Sequence, residues 1–403
     1  MADPDTNKVE NRIIILCSRL NLTPQDLSGI QSLIASDLDW EMIIKKANFE
    51  GVSPLLYSHL KKYKTRIPEN AMKSLKERYI LITARNISTY RRLTPLLQAI
   101  NESGLKVAIT KGARLAKTLY KDIGLRPFSD VDLVVHPSDW KKFIGLMRKL
   151  GFSQNEYGEY ISEQNPEDYD WTFYNYFQKE GLLVDVHLYP FDLRLSAKNI
   201  EDFWKSIQKE TITDVQCFVF SPEYEFCKLC IHTQKHSYFP LIWLTDIAEL
   251  SSSKILDWDK VKAISEEEEI IAPVFYALHL VNLLWPGTVS PTILDKFRIR
   301  RLSKKILNFF WPEEKVISRD LSFETPLRKV PEHTPTIFPL LSRKRVLLKI
   351  KTIFQIFFPR RAYVSYGHNI PPRSIKIYLH YLSRTYKMIR ISLKFLSRTK
   401  WTE

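Results

Sequence analysis

The stretch PFSDVDLVVH, residues 127–136, sets two carboxylates at the start of a strongly apolar run. The Leu-Val-Val that follows them predicts a short buried β-strand. Asp130 and Asp132 are two residues apart, so on a strand both side chains project from the same face. Close carboxylates repel each other and are costly to bury, so the stretch indicates a site at which a cation compensates their charge.

A third carboxylate follows in LLVDVHLYP, residues 182–190. Asp185 and His187 share one face of this predicted strand, and Asp185 is isolated among apolar residues. Three carboxylates from two strands can hold two divalent ions roughly 3.5–4 Å apart. Oxygen ligands suit Mg²⁺, with Mn²⁺ as an alternative. We therefore expect Asp130, Asp132 and Asp185 to bind two Mg²⁺ ions.

The segment ITKGARLA, residues 109–116, predicts a strand, a sharp turn and the start of a helix. Gly112 permits close backbone approach at the turn, and the first N–H groups of a helix bind anions. Lys111, Arg114 and Arg126 add positive charge. These residues predict a cradle for the phosphates of a nucleotide, although a strand–Lys-Gly–helix turn has little specificity alone.

Together, the segments TKGARLAKTLY, GLRPFSDVDLVV and VDVH resemble the nucleotidyltransferases of the DNA polymerase beta superfamily. They are most similar to a poorly characterised bacterial branch with a KGA…LRPxSDxDLLV pattern. The resemblance places Gly112 on the superfamily's motif glycine and Asp185 on its third carboxylate. It places Asp130 and Asp132 on the metal-binding pair. The match covers residues 105–190.

The resemblance implies transfer of a nucleoside monophosphate from an NTP, such as ATP, to an acceptor hydroxyl with release of pyrophosphate. Ala113 stands where the superfamily usually carries glycine or a small hydroxyl residue, so triphosphate binding would depend on Lys111 or Ser129. A glycosyltransferase Asp-x-Asp motif is disfavoured, because those acids end an apolar strand and these precede one. The acceptor stays open between a small molecule, a peptide and a protein. A toxin-like tRNA nucleotidyltransferase and a non-catalytic nucleotide-binding protein at a membrane surface remain alternatives.

The composition is that of a folded globular protein, with 44% hydrophobic and 12% aromatic residues in 403. The polar N-terminus has no apolar signal-like segment, and no uncharged apolar run approaches the roughly 20 residues of a spanning helix. Only four cysteines occur, which predicts a reducing compartment and no disulfide framework. We expect a cytoplasmic protein, with peripheral attachment at the inner membrane face as an alternative.

Hydrophobic periodicity predicts the α+β fold class, a small mixed β-sheet core flanked by N- and C-terminal helical regions. The segment Thr23-Pro24-Gln25-Asp26 predicts the start of one helix, and residues 68–100 predict a long one. The expected regions are a helical N-terminal region (1–104), the nucleotidyltransferase core (105–220), a helical C-terminal domain (221–322), a proline-containing linker (323–340) and a basic amphipathic helical tail (341–403).

The segment CKLCIHTQKH, residues 227–236, has the residue types of a zinc site. A helix is expected to run through it, however, and the cysteine pair and the histidine pair would then point apart. Cys227 and Cys230 have the spacing of core residues. Four further residues are weaker candidates for the lining of a nucleotide cleft: His187, His232, His236 and Asp246.

Positive charge is concentrated at the C-terminus. The chain carries 60 Lys and Arg against 45 Asp and Glu, and 15 of these bases but only one acid, Glu403, follow residue 340. Apolar residues recur there in steps of four and three, which predicts a long amphipathic helix. The stripe consists of Ile375, Leu379, Leu382, Tyr386, Ile389, Leu393 and Leu396. A second basic apolar segment spans residues 347–361. Three interpretations of the tail stay open: packing on the body, contact with an anionic membrane and binding of RNA.

Overall fold

The computed structural model describes residues 6–154, 175–191, 197–318, 358, 364, 370 and 374–398. Residues 171–174, the whole predicted linker and all of segment 347–361 except Phe358 lie outside these ranges. Within them, the chain has the predicted α+β class, with one mixed sheet and helices before and after it.

The sheet contains seven strands within the described ranges: β1 (Val107–Thr110), β2 (Val131–Val135), β3 (Ser153–Gln154), β4 (Asn175–Lys179), β5 (Leu182–His187), β6 (Gln208–Ile212) and β7 (Val215–Val219). Their order is β3-β4-β5-β2-β1-β7-β6. The pairs β2–β5 and β1–β7 are parallel, whereas the other neighbours are antiparallel. The central strands β1 and β2 are buried along their whole length, which explains their apolar sequences.

Helices precede the sheet in the chain: α1 (Thr6–Leu16), α2 (Pro24–Ile34), α3 (Trp40–Phe49), α4 (Ser53–Leu60) and α5 (Glu69–Glu102). The predicted helix start at Thr23 is confirmed, because its hydroxyl accepts the backbone N–H of Asp26 and the Asp26 carboxylate accepts the N–H of Thr23. The predicted long helix is α5, with 34 residues.

Helices also connect and follow the strands. Those that connect them are α6 (Lys111–Thr118), α7 (Trp140–Lys149) and α8 (Ala197–Ser206). Those that follow are α9 (Pro222–Lys235), α10 (Leu241–Ser252), α11 (Trp258–Glu267), α12 (Ile271–Leu284), α13 (Pro291–Lys296), α14 (Arg301–Phe310), α15 (Glu313–Ile317) and α16 (Lys376–Arg398). Short 3₁₀ turns lie at Lys61–Arg66 and Pro137–Asp139. No helix within the described ranges is both long enough and apolar enough to cross a bilayer.

Helix α5 fixes the loop that leads into β2. The Asn86 amide donates to the carbonyl oxygens of Ile123, at 2.6 Å, and Arg126, at 3.0 Å. The Tyr90 hydroxyl donates to the carbonyl of Ala113 in α6 at 2.6 Å. Because these donors are buried on one helix, the turn after β1 and the loop before β2 are held against the same scaffold.

Strand pairing brings the carboxylates of the two motifs together. In the parallel pair β2–β5, Asp132 lies opposite Asp185. In the antiparallel pair β1–β2, Thr110 lies opposite Asp132, so Lys111 follows directly at the end of β1. The start of β2, the middle of β5 and the end of β1 therefore meet at one point of the sheet.

Candidate active site

Asp132, Asp185 and His187 form a compact cluster at this point of the sheet. Nε2 of His187 lies 3.2 Å from Oδ1 of Asp132 and 3.2 Å from Oδ2 of Asp185. One ligand atom from each residue can be chosen so that all lie within 4.8 Å of one another. Both carboxylates are buried, with 4% and 3% of their residue surfaces exposed. Within the described ranges this is the one cluster of three metal-binding side chains.

The cluster fits a divalent cation. Oδ1 of Asp185 is buried and accepts no hydrogen bond in the described part of the chain, and a buried carboxylate oxygen without a donor carries a large desolvation cost. Two carboxylates favour Mg²⁺ or Mn²⁺, and the imidazole is a ligand that Mn²⁺ accepts more readily than Mg²⁺. Sequence reasoning placed His187 in the cleft, and its distance to both carboxylates places it within the ligand cluster itself.

Lys111 contacts the same carboxylate from the end of β1. Its ammonium nitrogen lies 2.5 Å from Oδ1 of Asp132 and 3.4 Å from Nδ1 of His232. The backbone of Lys111 has a φ of 57°, in the left-handed region that a side chain with a Cβ seldom adopts. This conformation turns the chain sharply from β1 into α6 and aims the ammonium at Asp132. The cation adjacent to the first motif is thus part of the carboxylate cluster.

The pKa values of the two acids of the Asp-x-Asp motif are shifted in opposite directions. Burial alone would raise the pKa of Asp132, but the nearby Lys111 ammonium and His187 imidazole outweigh it and hold that pKa well below its usual range. Burial and the charge of Asp132 raise the pKa of Asp130, and Lys111 opposes this only in part. Asp132 is therefore the firmly ionised member of the pair.

Gly112 allows the α6 turn and the loop before β2 to touch. A Cβ at this position would lie 2.7 Å from Cβ of Phe128 and 3.3 Å from a guanidinium nitrogen of Arg126. Ser129 follows in that loop, and its hydroxyl donates to Oδ1 of Asp130 at 3.1 Å. The glycine that the sequence assigned to phosphate binding is thus also required by the packing of the two motif-bearing loops.

Glu225, on α9, binds the start of α6 and was missed by the sequence analysis. Its carboxylate accepts the backbone N–H of Lys111 at 2.8 Å and the Thr110 hydroxyl at 2.9 Å. It also pairs with the guanidinium of Arg114 at 3.0 Å. The first N–H of α6 is therefore bound within the protein, so the prediction that this N–H receives a phosphate needs correction.

Arg114 and Asp246 lie behind the cleft, which corrects two further expectations. Arg114 is buried between Glu210, at 2.7 Å, and Glu225, so its charge is already neutralised. Asp246 has no exposed surface and accepts the guanidinium of Arg126 at 2.6 Å and the Tyr120 hydroxyl at 2.7 Å. In both cases the side chain was predicted to face the nucleotide, but an ion pair with a residue distant in the sequence holds it outside the cleft.

Residues 36–286, more than half of the 403, match the model of a family described as uncharacterised nucleotidyltransferase. The chain belongs to this family. The resemblance to the nucleotidyltransferase superfamily is thereby confirmed. No curated protein matches the chain. A solved structure described as an antigenic nucleotidyltransferase-like protein from Paracoccidioides brasiliensis is 14% identical, covers 55% of this chain and 93% of its own, and superposes with a TM-score of 0.31.

The chain has a cleft of about 390 Å³ at the carboxylate cluster. Ten of the predicted site residues line it: Lys111, Gly112, Arg126, Ser129, Asp130, Asp132, Asp185, His187, His232 and His236. All lining residues, from Gly51 to Trp243, fall inside the range that matches the family. The cleft therefore lies in the part of the chain that matches the family model.

Sequence reasoning missed the cations that other helices add to the cleft. Arg78 and Arg85 on α5 line it together with Ile82, at the spacing of one helix face, and Lys235 lines it from α9. Neither Arg78 nor Arg85 forms a salt bridge with any described residue. Arg78, Ile82 and Arg85 are four and three residues apart, which indicates that they share one face of α5. This spacing does not show which part of the protein that face contacts.

Aromatic rings close the cleft on the side of α9 and α10. The rings of His232 and His236 pack against each other and against Trp243, with centroids 4.4–4.9 Å apart. Burial, and next the charge of Lys111, lower the pKa of His232 well below its usual value, so this imidazole is neutral. Cys227 and Cys230 are instead buried as free thiols in the core, and burial raises both their pKa values. The cysteines and histidines thus point apart, as the helical spacing predicted.

Proposed function

We propose that this protein catalyses the Mg²⁺-dependent transfer of a nucleoside monophosphate from an NTP to an acceptor hydroxyl. The observation that carries the proposal is the in-register pairing of Asp132 and Asp185 at the floor of a cation-rich cleft. The acceptor oxygen would form a bond to the α-phosphorus. The bond between the α-phosphorus and the oxygen that bridges it to the β-phosphate would break, so pyrophosphate leaves. Membership of the nucleotidyltransferase family supports this class of reaction.

Asp132, Asp185 and His187, which form the cluster, are proposed metal ligands together with Asp130, which precedes β2 and lines the cleft beside them. Bound divalent ions would lower the pKa of the acceptor hydroxyl and offset the charge on the departing pyrophosphate. Asp185, on β5, is proposed to take the acceptor's proton, because its Oδ1 is buried and has no donor among the described residues. Asp132 stays ionised, because Lys111 and His187 hold its pKa low.

The triphosphate is proposed to lie between the α6 turn and α5. Gly112 lines the cleft at the turn, and Ser129 offers a hydroxyl on the facing loop. Arg78 and Arg85 supply guanidinium groups that no described carboxylate neutralises, whereas Arg114 and Arg126 are each paired with acids. Guanidinium groups bind phosphate through paired, charge-assisted hydrogen bonds. Arg78 and Arg85 therefore replace Arg114 as the proposed phosphate ligands.

The test is incubation of the full chain with Mg²⁺, each α-labelled NTP and fractionated small molecules, peptides and proteins from cell extract. Label should appear in an acceptor with stoichiometric pyrophosphate. Asp132→Ala should reduce labelling by at least about 100-fold. Asp295→Ala, at an exposed carboxylate of α13, serves as the matched control and should leave labelling unchanged. Equal labelling by Asp132→Ala and the unmodified protein would refute the assignment of the site.

Metal binding is tested separately by titrating Mn²⁺ and following the free ion by electron paramagnetic resonance. Asp185→Asn should weaken Mn²⁺ binding at least about tenfold, because it removes a charged ligand. Asp295→Asn should bind as the unmodified protein does. If the titration is unchanged in Asp185→Asn, the ions are held elsewhere. NTP binding without any pyrophosphate release would favour the non-catalytic alternative.

A further inference from the structure

Helix α16, Lys376–Arg398, presents its apolar stripe to the solvent rather than to the protein. Six stripe residues have between 49% and 75% of their surface exposed. These are Ile375, just before the helix, and Leu379, Leu382, Tyr386, Ile389 and Leu393. A helix on the surface of a globular protein normally buries such a stripe against the core. The feature was predicted from the sequence as a stripe, but its outward orientation is a finding of the structure.

The opposite side of the same helix contacts the protein. Ile377 and Arg384 have only 1% and 3% of their surfaces exposed. At roughly 100° per residue, both lie about half a turn away from the centre of the stripe. The helix therefore buries its far side, whereas the stripe is exposed to solvent.

The edges of the stripe carry cations and a tyrosine. Lys376, Lys387 and Arg390 are exposed along one edge, and Tyr378 lies on the other with 51% of its surface exposed. The helix sequence contains six Lys or Arg and no Asp or Glu. Aliphatic side chains flanked by cations and tyrosine form the arrangement of helices that lie in a lipid interface.

Charge complementarity decides which partner fits this face. An anionic bilayer accepts the aliphatic residues between its acyl chains and offers negative headgroups to the cations beside them. RNA would satisfy the cations but would leave Leu379, Leu382 and Leu393 without an apolar partner, since aliphatic chains do not stack on bases. A second copy of the chain would bury the stripe but would bring like charges together at its edge.

We propose that α16 lies in the surface of an anionic lipid bilayer, with the stripe inserted among the acyl chains, and holds the nucleotidyltransferase at that surface. The inference is independent of the proposed reaction, because α16 lies outside both the cleft and the range that matches the family. It assigns a partner to the predicted tail and leaves the catalytic cluster unchanged.

Flotation of the full chain with lipid vesicles tests the proposal. The protein should float with phosphatidylcholine vesicles that contain about 30 mol% phosphatidylglycerol and stay at the bottom with phosphatidylcholine alone. Raising NaCl from about 0.1 M to about 0.5 M should reduce the bound fraction, because it screens the cations. The double variant Leu379→Glu/Leu382→Glu should bind at least about tenfold more weakly.

Ile80→Glu/Leu81→Glu is the matched control, because these residues are exposed aliphatics on α5, 52% and 56% exposed, and receive the same charge change. It should bind vesicles as the unmodified protein does, and circular dichroism should be the same for all three proteins. The proposal is overturned if Leu379→Glu/Leu382→Glu floats normally or if the control loses binding equally. It is also overturned if sedimentation shows that the stripe variant only dissociates a dimer, or if the stripe variant loses RNA binding while vesicle binding is absent throughout.

Discussion

The ammonium nitrogen of Lys111 lies 2.5 Å from Oδ1 of Asp132. Lys111, which precedes the motif glycine, therefore forms an ion pair with the second carboxylate of the Asp-x-Asp motif. Both side chains are almost fully buried, so the pair is poorly screened by solvent. This contact links the end of β1 to the start of β2 and leads to the first of four predictions.

Lys111→Met should destabilise the protein at neutral pH, because it leaves a buried carboxylate with only His187 beside it. We expect the free energy of unfolding to fall by about 1–3 kcal/mol in urea titrations. The depressed pKa of Asp132 stabilises the folded state above the ordinary carboxyl pKa of about 4. This contribution is lost as the pH falls below that value through the folded-state pKa, so the difference between the proteins should shrink there. Lys141→Met, at an exposed residue of α7, should change nothing.

Gly112→Ala should destabilise the protein and weaken NTP binding. The new Cβ would lie 2.7 Å from Cβ of Phe128, an atom close to the backbone that cannot rotate away. We expect a loss of about 1–3 kcal/mol in the free energy of unfolding. Gly145→Ala is the control, because a Cβ in this α7 position meets nothing within 4 Å. That change should stabilise the helix by about 0.5–1 kcal/mol. Similar effects for both variants would contradict the packing argument.

Asp246→Ala should be among the most destabilising single substitutions in the chain. It leaves the guanidinium of Arg126 buried without its carboxylate and removes the acceptor of the Tyr120 hydroxyl. We expect a loss of about 3–5 kcal/mol. The double variant Arg126→Met/Asp246→Leu removes both charges and should recover part of this stability. If the double variant is no more stable than Asp246→Ala, the cost arises from packing and not from an unpaired charge.

Glu268→Gln should stabilise the protein above the ordinary carboxyl pKa of about 4.5, and the gain should reach its full size above about pH 7. Burial raises the pKa of Glu268 to about 7, so the folded state favours the neutral carboxyl. Stability is therefore full below the ordinary carboxyl pKa of about 4.5 and is lost progressively as the pH rises from there to about 7. Glutamine is neutral at every pH and keeps an acceptor for the amide of Asn199.

We expect the free energy of unfolding of Glu268→Gln to exceed that of the unmodified protein by about 1–3 kcal/mol at pH about 8.5. At pH about 4 the two free energies should be equal. Thermal unfolding followed by circular dichroism across this range provides the measurement. Glu77→Gln, at an exposed position of α5, should show no such pH dependence. A gain of the same size at both pH values would mean that charge is not the cause.

The sequence predicted that Asp132 and Asp185 lie together, because strand periodicity and motif order are both local, but it counted Asp130, which precedes β2, in the cluster where the structure has His187. Asp132 and Asp185 each stand at a position whose face is fixed by alternation, and a shared sheet brings them together. Edge strand β6, Gln208–Ile212, was not predicted, because the sequence QKETI has the polar character of an exposed edge and little alternation.

The rest of the site depends on packing between distant parts of the chain. Glu225 reaches Lys111 across 114 residues, and Arg126 reaches Asp246 across 120. Helix periodicity gives the face that Arg78 shares with Arg85 but not the element that this face meets. For this reason Arg114 and Asp246, which are held by ion pairs with distant residues, were wrongly assigned to the cleft, whereas strand pairing brings Asp132 and Asp185 together as expected.

Substitutions are constrained differently at the floor of the cleft, which is formed by strands, and at its walls, which are formed by helices. Its carboxylates are carried by central strands, where a shift of one residue would turn them to the opposite face. Its guanidinium and aromatic walls come from α5, α9 and α10, which tolerate changes at cleft-facing positions without altering strand pairing. A substitution in these walls can therefore change the shape and charge of the cleft without moving the carboxylates. A fragment trimmed to residues 105–220 would keep the acids and lose Arg78, Arg85 and Trp243, and with them the guanidinium and aromatic walls of the cleft.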